Sequence, residues 1–137
     1  MSSFNIFDIA GSGMSAQTVR LNTTASNLAN ADSVAGSADA AYKARHPVFK
    51  AVQNALSANG AGAPVQVAGI TQSTAQAESH YEPGNPLANA DGYVYSSNVN
   101  TVEEMVDMIS ASRSYQNNVE VMNTSKELML ATLKLGQ

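Results

Sequence analysis

A proline-free stretch at the end of the chain, 101–137, sets the terms for everything before it: TVEEMVDMISASRSYQNNVEVMNTSKELMLATLKLGQ. Val102, Met105, Ile109, Ser112, Tyr115, Val119, Met122, Met129 and Leu133 recur along it at helical spacing and line one face. Its one glycine, Gly136, falls where a helix stops. Thr101 and Glu104 predict a capping box, in which each side chain satisfies the other's backbone N–H. At about 1.5 Å per residue the stretch makes a rod on the order of 50 Å long. Such a rod exceeds the width of a domain of 137 residues and needs packing along its length to be stable. The helix reads as an assembly element.

A second helical pattern fills 1–30. Phe7, Met14, Leu21 and Leu28 stand seven residues apart, and Gly11, Thr18 and Ala25 fall four residues after the first three. This is a narrow apolar stripe flanked by small residues, suited to a coiled-coil seam or close helix packing. Ser12, Ser15, Gln17, Asn22, Thr23, Ser26 and Asn27, away from the stripe, are short and neutral. Such a surface suits tight packing among neighbouring helices better than solvation. The helix is expected to end near Asn30, where Ala31-Asp32-Ser33-Val34-Ala35-Gly36 brings turn formers.

Between the two helical patterns the composition changes. All four prolines and six of the nine glycines lie within 36–100. The run 40–52 is partly alternating and strand-like, with Pro47 confining it to an edge or bulge. Residues 57–64 (SANGAGAP) predict a linker or hairpin loop, 65–71 (VQVAGIT) a strand of a half-buried sheet, and 93–95 a short final strand. The expected fold is mainly α. It is an antiparallel coiled coil of long N- and C-terminal helices (1–35 and 98–137) with a small β-rich, irregular middle segment (36–97) at one end.

Chemistry is sparse. His46 and His80 sit in no metal-ligand spacing, and adjacent side chains of His80-Tyr81-Glu82 on an extended segment point to opposite faces. Glu103, Glu104 and Asp107 make an acidic first turn that the helix dipole accounts for. Without cysteine there is no disulfide scaffold or thiolate metal site. The formal charge of −4, with seven scattered basic residues, argues against nucleic-acid or membrane-surface binding. No apolar run approaches a membrane span, and no basic region followed by an apolar one marks a cleavable signal peptide.

The two ends resemble a known family. Ser12-Gly13-Met14-Ser15-Ala16-Gln17, then Leu21, then Ala25-Ser26-Asn27-Leu28-Ala29-Asn30 is similar to the N-terminal signature of bacterial flagellar rod, hook and related axial proteins. Asn98-Val99-Asn100, Glu104-Met105, Ala111-Ser112-Arg113-Ser114-Tyr115-Gln116-Asn117-Asn118 and Leu133-Lys134-Leu135-Gly136-Gln137 resemble the matching C-terminal signature. Many axial relatives continue with a Thr-Pro-Gly-Tyr turn where this chain has Ala31-Asp32-Ser33. That departure, the opening Phe4-Asn5-Ile6-Phe7-Asp8-Ile9-Ala10-Gly11-Ser12, and Tyr81-Glu82-Pro83-Gly84-Asn85-Pro86-Leu87-Ala88 resemble the proximal-rod members.

The resemblance implies a structural subunit of the rod that crosses the periplasm, exported through the flagellar type III apparatus. It implies as partners copies of itself, the other proximal-rod proteins, the adaptor to the membrane–supramembrane (MS) ring, and the distal rod protein. No cofactor, metal, nucleic acid or small-molecule substrate is implied, and no enzymatic activity. The packing positions expected to carry assembly are Phe7, Met14, Leu21, Leu28, Met105, Ile109, Tyr115, Val119, Met122 and Leu133. Asn22, Asn27, Asn117, Asn118 and Asn123 are expected to make lateral hydrogen bonds, and Met105, Met122 and Met129 to serve as adaptable packers. The terminal helices are expected to be largely disordered in the free monomer and to order on assembly.

Two other classes compete. A non-polymerising helical export adaptor or chaperone would expose a charged or strongly amphipathic groove, against which the neutral faces argue. A small cell-wall hydrolase would need a convergent carboxylate pair. Glu78 and Glu82, four residues apart on an extended segment, would lie over about 10 Å apart.

Overall fold

The computed structural model describes residues 3–52 and 62–136; the linker expected at 57–64 lies outside them as far as residue 61. Among the described residues two long helices, α1 (Ser3–Ala29) and α2 (Thr101–Leu135), bracket five short strands. These are β1 (Val34–Ala35), β2 (Arg45–Ala51), β3 (Val65–Gln72), β4 (Ser79–Tyr81) and β5 (Tyr93–Ser96). They form two antiparallel sheets, one of order β1-β5-β4 and one hairpin of β2 and β3. Among the described residues no helix is long and apolar enough to cross a membrane.

α1 ends as expected beside Asn30, whose backbone N–H and side-chain amide both donate to the Ser26 carbonyl. Its mid-helix hydroxyls are satisfied on the preceding turn: Thr18 Oγ1 donates to Met14 O and Thr23 Oγ1 to Val19 O. This local bond lets a polar residue such as Thr23 be buried without a partner elsewhere.

The start of α2 corrects the expected capping box. Asn100, with extended φ −91° and ψ 107°, is the cap, and its Oδ1 accepts from Val102 N and Glu103 N at 3.1 and 3.4 Å. A short amide just outside the helix reaches those N–H groups directly. Glu104 is thereby released, and it turns inward. The other end behaves as expected, with α2 stopping at Leu135 and Gly136 as its cap.

The helices run antiparallel, as the pairs between them show. Asn27 meets Glu104, Arg20 Nη2 lies 2.7 Å from Asp107 Oδ1, Gly13 faces Asn118, and Ile6 shares a groove with Ser125 and Met129. A Cβ at Gly13 would stand 2.8 Å from Asn118 Nδ2, so the backbone approach there exploits the missing side chain. α2, with 35 residues against 27, outruns α1. At about 1.5 Å per residue the overhang is roughly 12 Å.

The middle segment does not sit only at one end. The β2–β3 hairpin lies along α1: Arg45 N donates to Asn27 Oδ1 (2.9 Å), and Val65 N donates to Ser12 Oγ (3.0 Å). Those anchors span roughly 22 Å of helix at about 1.5 Å per residue. An isolated two-stranded hairpin is marginal in water, and laying one face on α1 supplies its missing core. Register explains which face. Opposite pairs are Phe49↔Val67 and Ala51↔Val65 on one side of a bulge and Pro47↔Ile70 on the other. The unmatched Ala68 shifts the alternation by one residue, so that Ile70 rejoins the face of Val65 and Val67 instead of pointing away. Both strands remain largely exposed, so the half-buried sheet expected from 65–71 is covered only at its first turns.

The interior is small and polar. Its buried apolar residues are Ala10, Ala16, Ala41, Ala44, Val94 and Ala111, and beside them lie Thr23, Thr24, Asn27, Ser97 and Glu104. Among the described residues Val94 is the largest apolar side chain that is fully buried, and the larger ones are half-buried or exposed.

Candidate assembly interface

At the junction end, where α1 finishes and α2 begins, Asn27 ties three elements together. Its side chain is fully buried, and it uses its complete hydrogen-bonding capacity. Nδ2 donates to Arg45 O at 2.8 Å and to Glu104 Oε1 at 2.9 Å. Oδ1 accepts from Arg45 N at 2.9 Å and from the Tyr42 hydroxyl at 3.0 Å. The Arg45 guanidinium lies 5.6 Å from the centroid of the Tyr42 ring, fixing the loop between β1 and β2. Glu104 is 3% exposed, and its Oε2 has no partner among the described residues.

A second amide holds the β segments to the same end. Asn98 donates from Nδ2 to Ala75 O and accepts at Oδ1 from Ala44 N, both at 2.7 Å. Ser97 Oγ donates to Ala31 O. Gly92, at φ +80°, forms the turn into β5, where Tyr81 and Tyr93 meet edge to face at 5.3 Å. The junction is a latch made of amides. It holds no pair of groups poised for proton transfer.

The expected packing positions fall on one flank. Phe7, Met14, Leu21 and Leu28 each follow by one the α1 residues that meet α2 (Ile6, Gly13, Arg20, Asn27), and all four are half-buried. The hairpin occupies the other flank, against Ile9, Ser12, Val19 and Thr23. On α2, Met105, Val119 and Leu133 likewise follow by one Glu104, Asn118 and Thr132, which face α1. In an antiparallel pair of right-handed helices both sets turn toward the same side. The two stripes therefore share the flank that the hairpin leaves open. Val119 and Met122 are half-buried, while Met105, Ile109, Tyr115 and Leu133 are exposed.

On α2 further exposed apolar residues stand beside those of the flank. Val102 (67% exposed), Met105, Val106 and Ile109 form a patch over its first two turns. Leu128, Leu130, Leu133 (65%) and Leu135 (89%) surround its last two. A surface helix of a finished monomer does not leave such residues on every side.

The candidate chemical residues do not converge. His46 is exposed on the hairpin face turned from α1. His80 Nε2 lies 3.9 Å from Glu78 Oε2, with both side chains exposed, an alternate-residue pairing the sequence reading passed over. Among the described residues no three His, Cys, Asp or Glu side chains cluster as metal ligands. Of the asparagines expected to bond laterally, Asn27 directs all its bonds inward and Asn118 faces Gly13, whereas Asn22, Asn117 and Asn123 are exposed. Asn27, Asn98 and Glu104 were missed as a junction. Their only signal is amide residues at helix ends, which capping and surface roles use equally well.

The candidate interface is thus a pair of terminal helices with an open apolar flank, joined through a small β insert. Residues 7–36 match the family described as flagella basal body rod protein, and residues 90–135 match the C-terminal family of flagellar basal body rod FlgEFG proteins. Over 137 residues, covering all of both chains, the sequence is 54% identical to the flagellar basal-body rod protein FlgC of Salmonella typhimurium and 56% identical to that of Escherichia coli O157:H7. Identity is 43% to the FlgC of Buchnera aphidicola subsp. Schizaphis graminum, again over the whole of both chains. The chain belongs to the FlgC family of flagellar basal-body rod proteins, a structural family and not an enzymatic one.

Proposed function

We propose that this chain is a structural subunit of the proximal rod, polymerising through its terminal helices into the shaft that transmits torque across the periplasm. The observation that carries the reading is the apolar flank shared by the two helices in a chain that matches FlgC along its full length. A torque-bearing rod needs many helices packed in parallel without slack. Segments 1–35 and 98–137, paired as a coiled coil, would supply them, and 36–97 would fill the space beside them. Met105, Met122 and Met129 add side chains that adapt to slightly different neighbours.

On this reading the subunit leaves through the flagellar type III export apparatus and contacts copies of itself, the other proximal-rod proteins, the MS-ring adaptor and the distal rod. Cryo-electron microscopy of isolated basal bodies tests it. Both terminal helices are expected as a continuous pair, packed among copies in the rod. A rod without this chain, in cells that still need the chain for export, would replace the reading with that of an export adaptor.

A further inference from the structure

The two apolar ends of α2 match one another. The overhang at residues 128–135 and the patch at residues 102–109 each cover two turns, roughly 11 Å of helix. The overhang carries exposed Leu128, Leu130, Leu133 and Leu135, of which Leu128 and Leu133 border the groove at Ile6, with Lys134 in its last turn. The patch presents Val102, Met105, Val106 and Ile109, with Glu103 exposed in its first turn. Among the described residues the hairpin lies along α1, and the apolar side chains named at both ends of α2 are exposed.

We infer that the α2 overhang of one copy docks on the residue 102–109 patch of the next, with Lys134 of one facing Glu103 of the other. The inference rests on the rod-subunit reading and adds which surfaces meet. Three features select a second copy as the occupant. The surfaces are equal in length, opposite in charge and placed at opposite ends of one continuous helix. The negative end of the α2 dipole also approaches the positive end of its neighbour's. A contact between two different patches is heterologous, so it propagates head to tail and gives an open helical array unless the rotation closes a ring. Patch on patch or overhang on overhang would bring like charges together, and a reciprocal antiparallel pair would close as a dimer, stopping the double-cysteine variant below at a linked dimer instead of a ladder.

The absence of cysteine makes the test free of background. Val106→Cys and Leu133→Cys are made separately and together; both side chains are exposed, so folding is not at stake. Under oxidation the double variant is expected to give a ladder of linked copies, and a mixture of the two single variants a linked dimer only. Each single variant alone should stay unlinked. Efficient Val106→Cys linkage to itself would overturn the inference in favour of a side-by-side dimer. Sedimentation run in parallel separates the two levels. Polymer without linkage between positions 106 and 133 rejects the inference and leaves the rod reading standing; no polymer at any concentration rejects both. As a second readout, Glu103→Lys or Lys134→Glu alone should raise the concentration needed for assembly roughly two- to fivefold, and the pair together should restore it. Unchanged assembly in both single variants would remove the charge pairing.

Discussion

The two ends of the helical pair are built on opposite principles. At the junction end, Asn27, Glu104, Tyr42, Arg45 and Asn98 lock α1, α2 and the β segments through directed hydrogen bonds. At the far end, Ile6 lies in an open groove with Met129 and Leu133, and Leu130 and Leu135 beyond it are exposed. Buried amides admit one geometry, because a misplaced partner leaves a polar group dry. Exposed leucines accept any apolar neighbour. One end specifies the fold of the subunit; the other is available to something outside it.

The largest expected effect lies at the junction. Asn27→Leu strips partners from the Arg45 backbone, the Tyr42 hydroxyl and Glu104 at once. It should lower the opening free energy of that end by roughly 3 kcal/mol, read by hydrogen exchange of dilute monomer. A loss below about 1 kcal/mol would mean the latch is not what holds the elements together. The same experiment on the unaltered chain should show amides of the first turns of α2 protected and those near Leu130 exchanging freely. That would narrow the disorder expected along both helices to the far end. Uniform protection along α2 would erase the contrast.

Asn100→Ala removes the acceptor for Val102 N and Glu103 N and should cost about 1 kcal/mol. If Thr101→Ala costs as much, the capping box operates after all. Midway along the pair, Gly13→Ala should gain helix propensity but press on Asn118, leaving stability little changed. In an Asn118→Ala background the same substitution should stabilise by roughly 0.5–1 kcal/mol, and additivity between the two sites would show that they do not touch. Smallest of all, Leu133→Ser should shift monomer stability by no more than about 0.5 kcal/mol, because the side chain is already in water. A cost of several times that would mean the far end has a packed interior.

Much of this contrast was legible beforehand. The heptad stripe of Phe7, Met14, Leu21 and Leu28, the uninterrupted α2 pattern and the Gly136 stop are local signals, and helices appear where they point. β3 and β5 were equally plain from alternation and flanking turn formers. Where the reading failed, the deciding partner was far away in the chain. Glu104 looked like a capping residue because Thr101 is three positions off, yet its bond is to Asn27, 77 positions earlier. Asn27 looked like a lateral contact because no local feature marks burial. The hairpin looked like a terminal excursion because chain order says nothing about which helix flank will cover it.

Periodicity, breakers and composition are properties of neighbouring residues. They sufficed for two long helices, a short-stranded middle and a surface short of the charge that solvation demands. The side of α1 that the hairpin takes, the bulge at Ala68 that returns Ile70 to the face of Val65 and Val67, and the inward turn of Glu104 depend on contacts between distant segments. Those were decided only when the segments met, since burying a polar group is favourable only where its partner already stands.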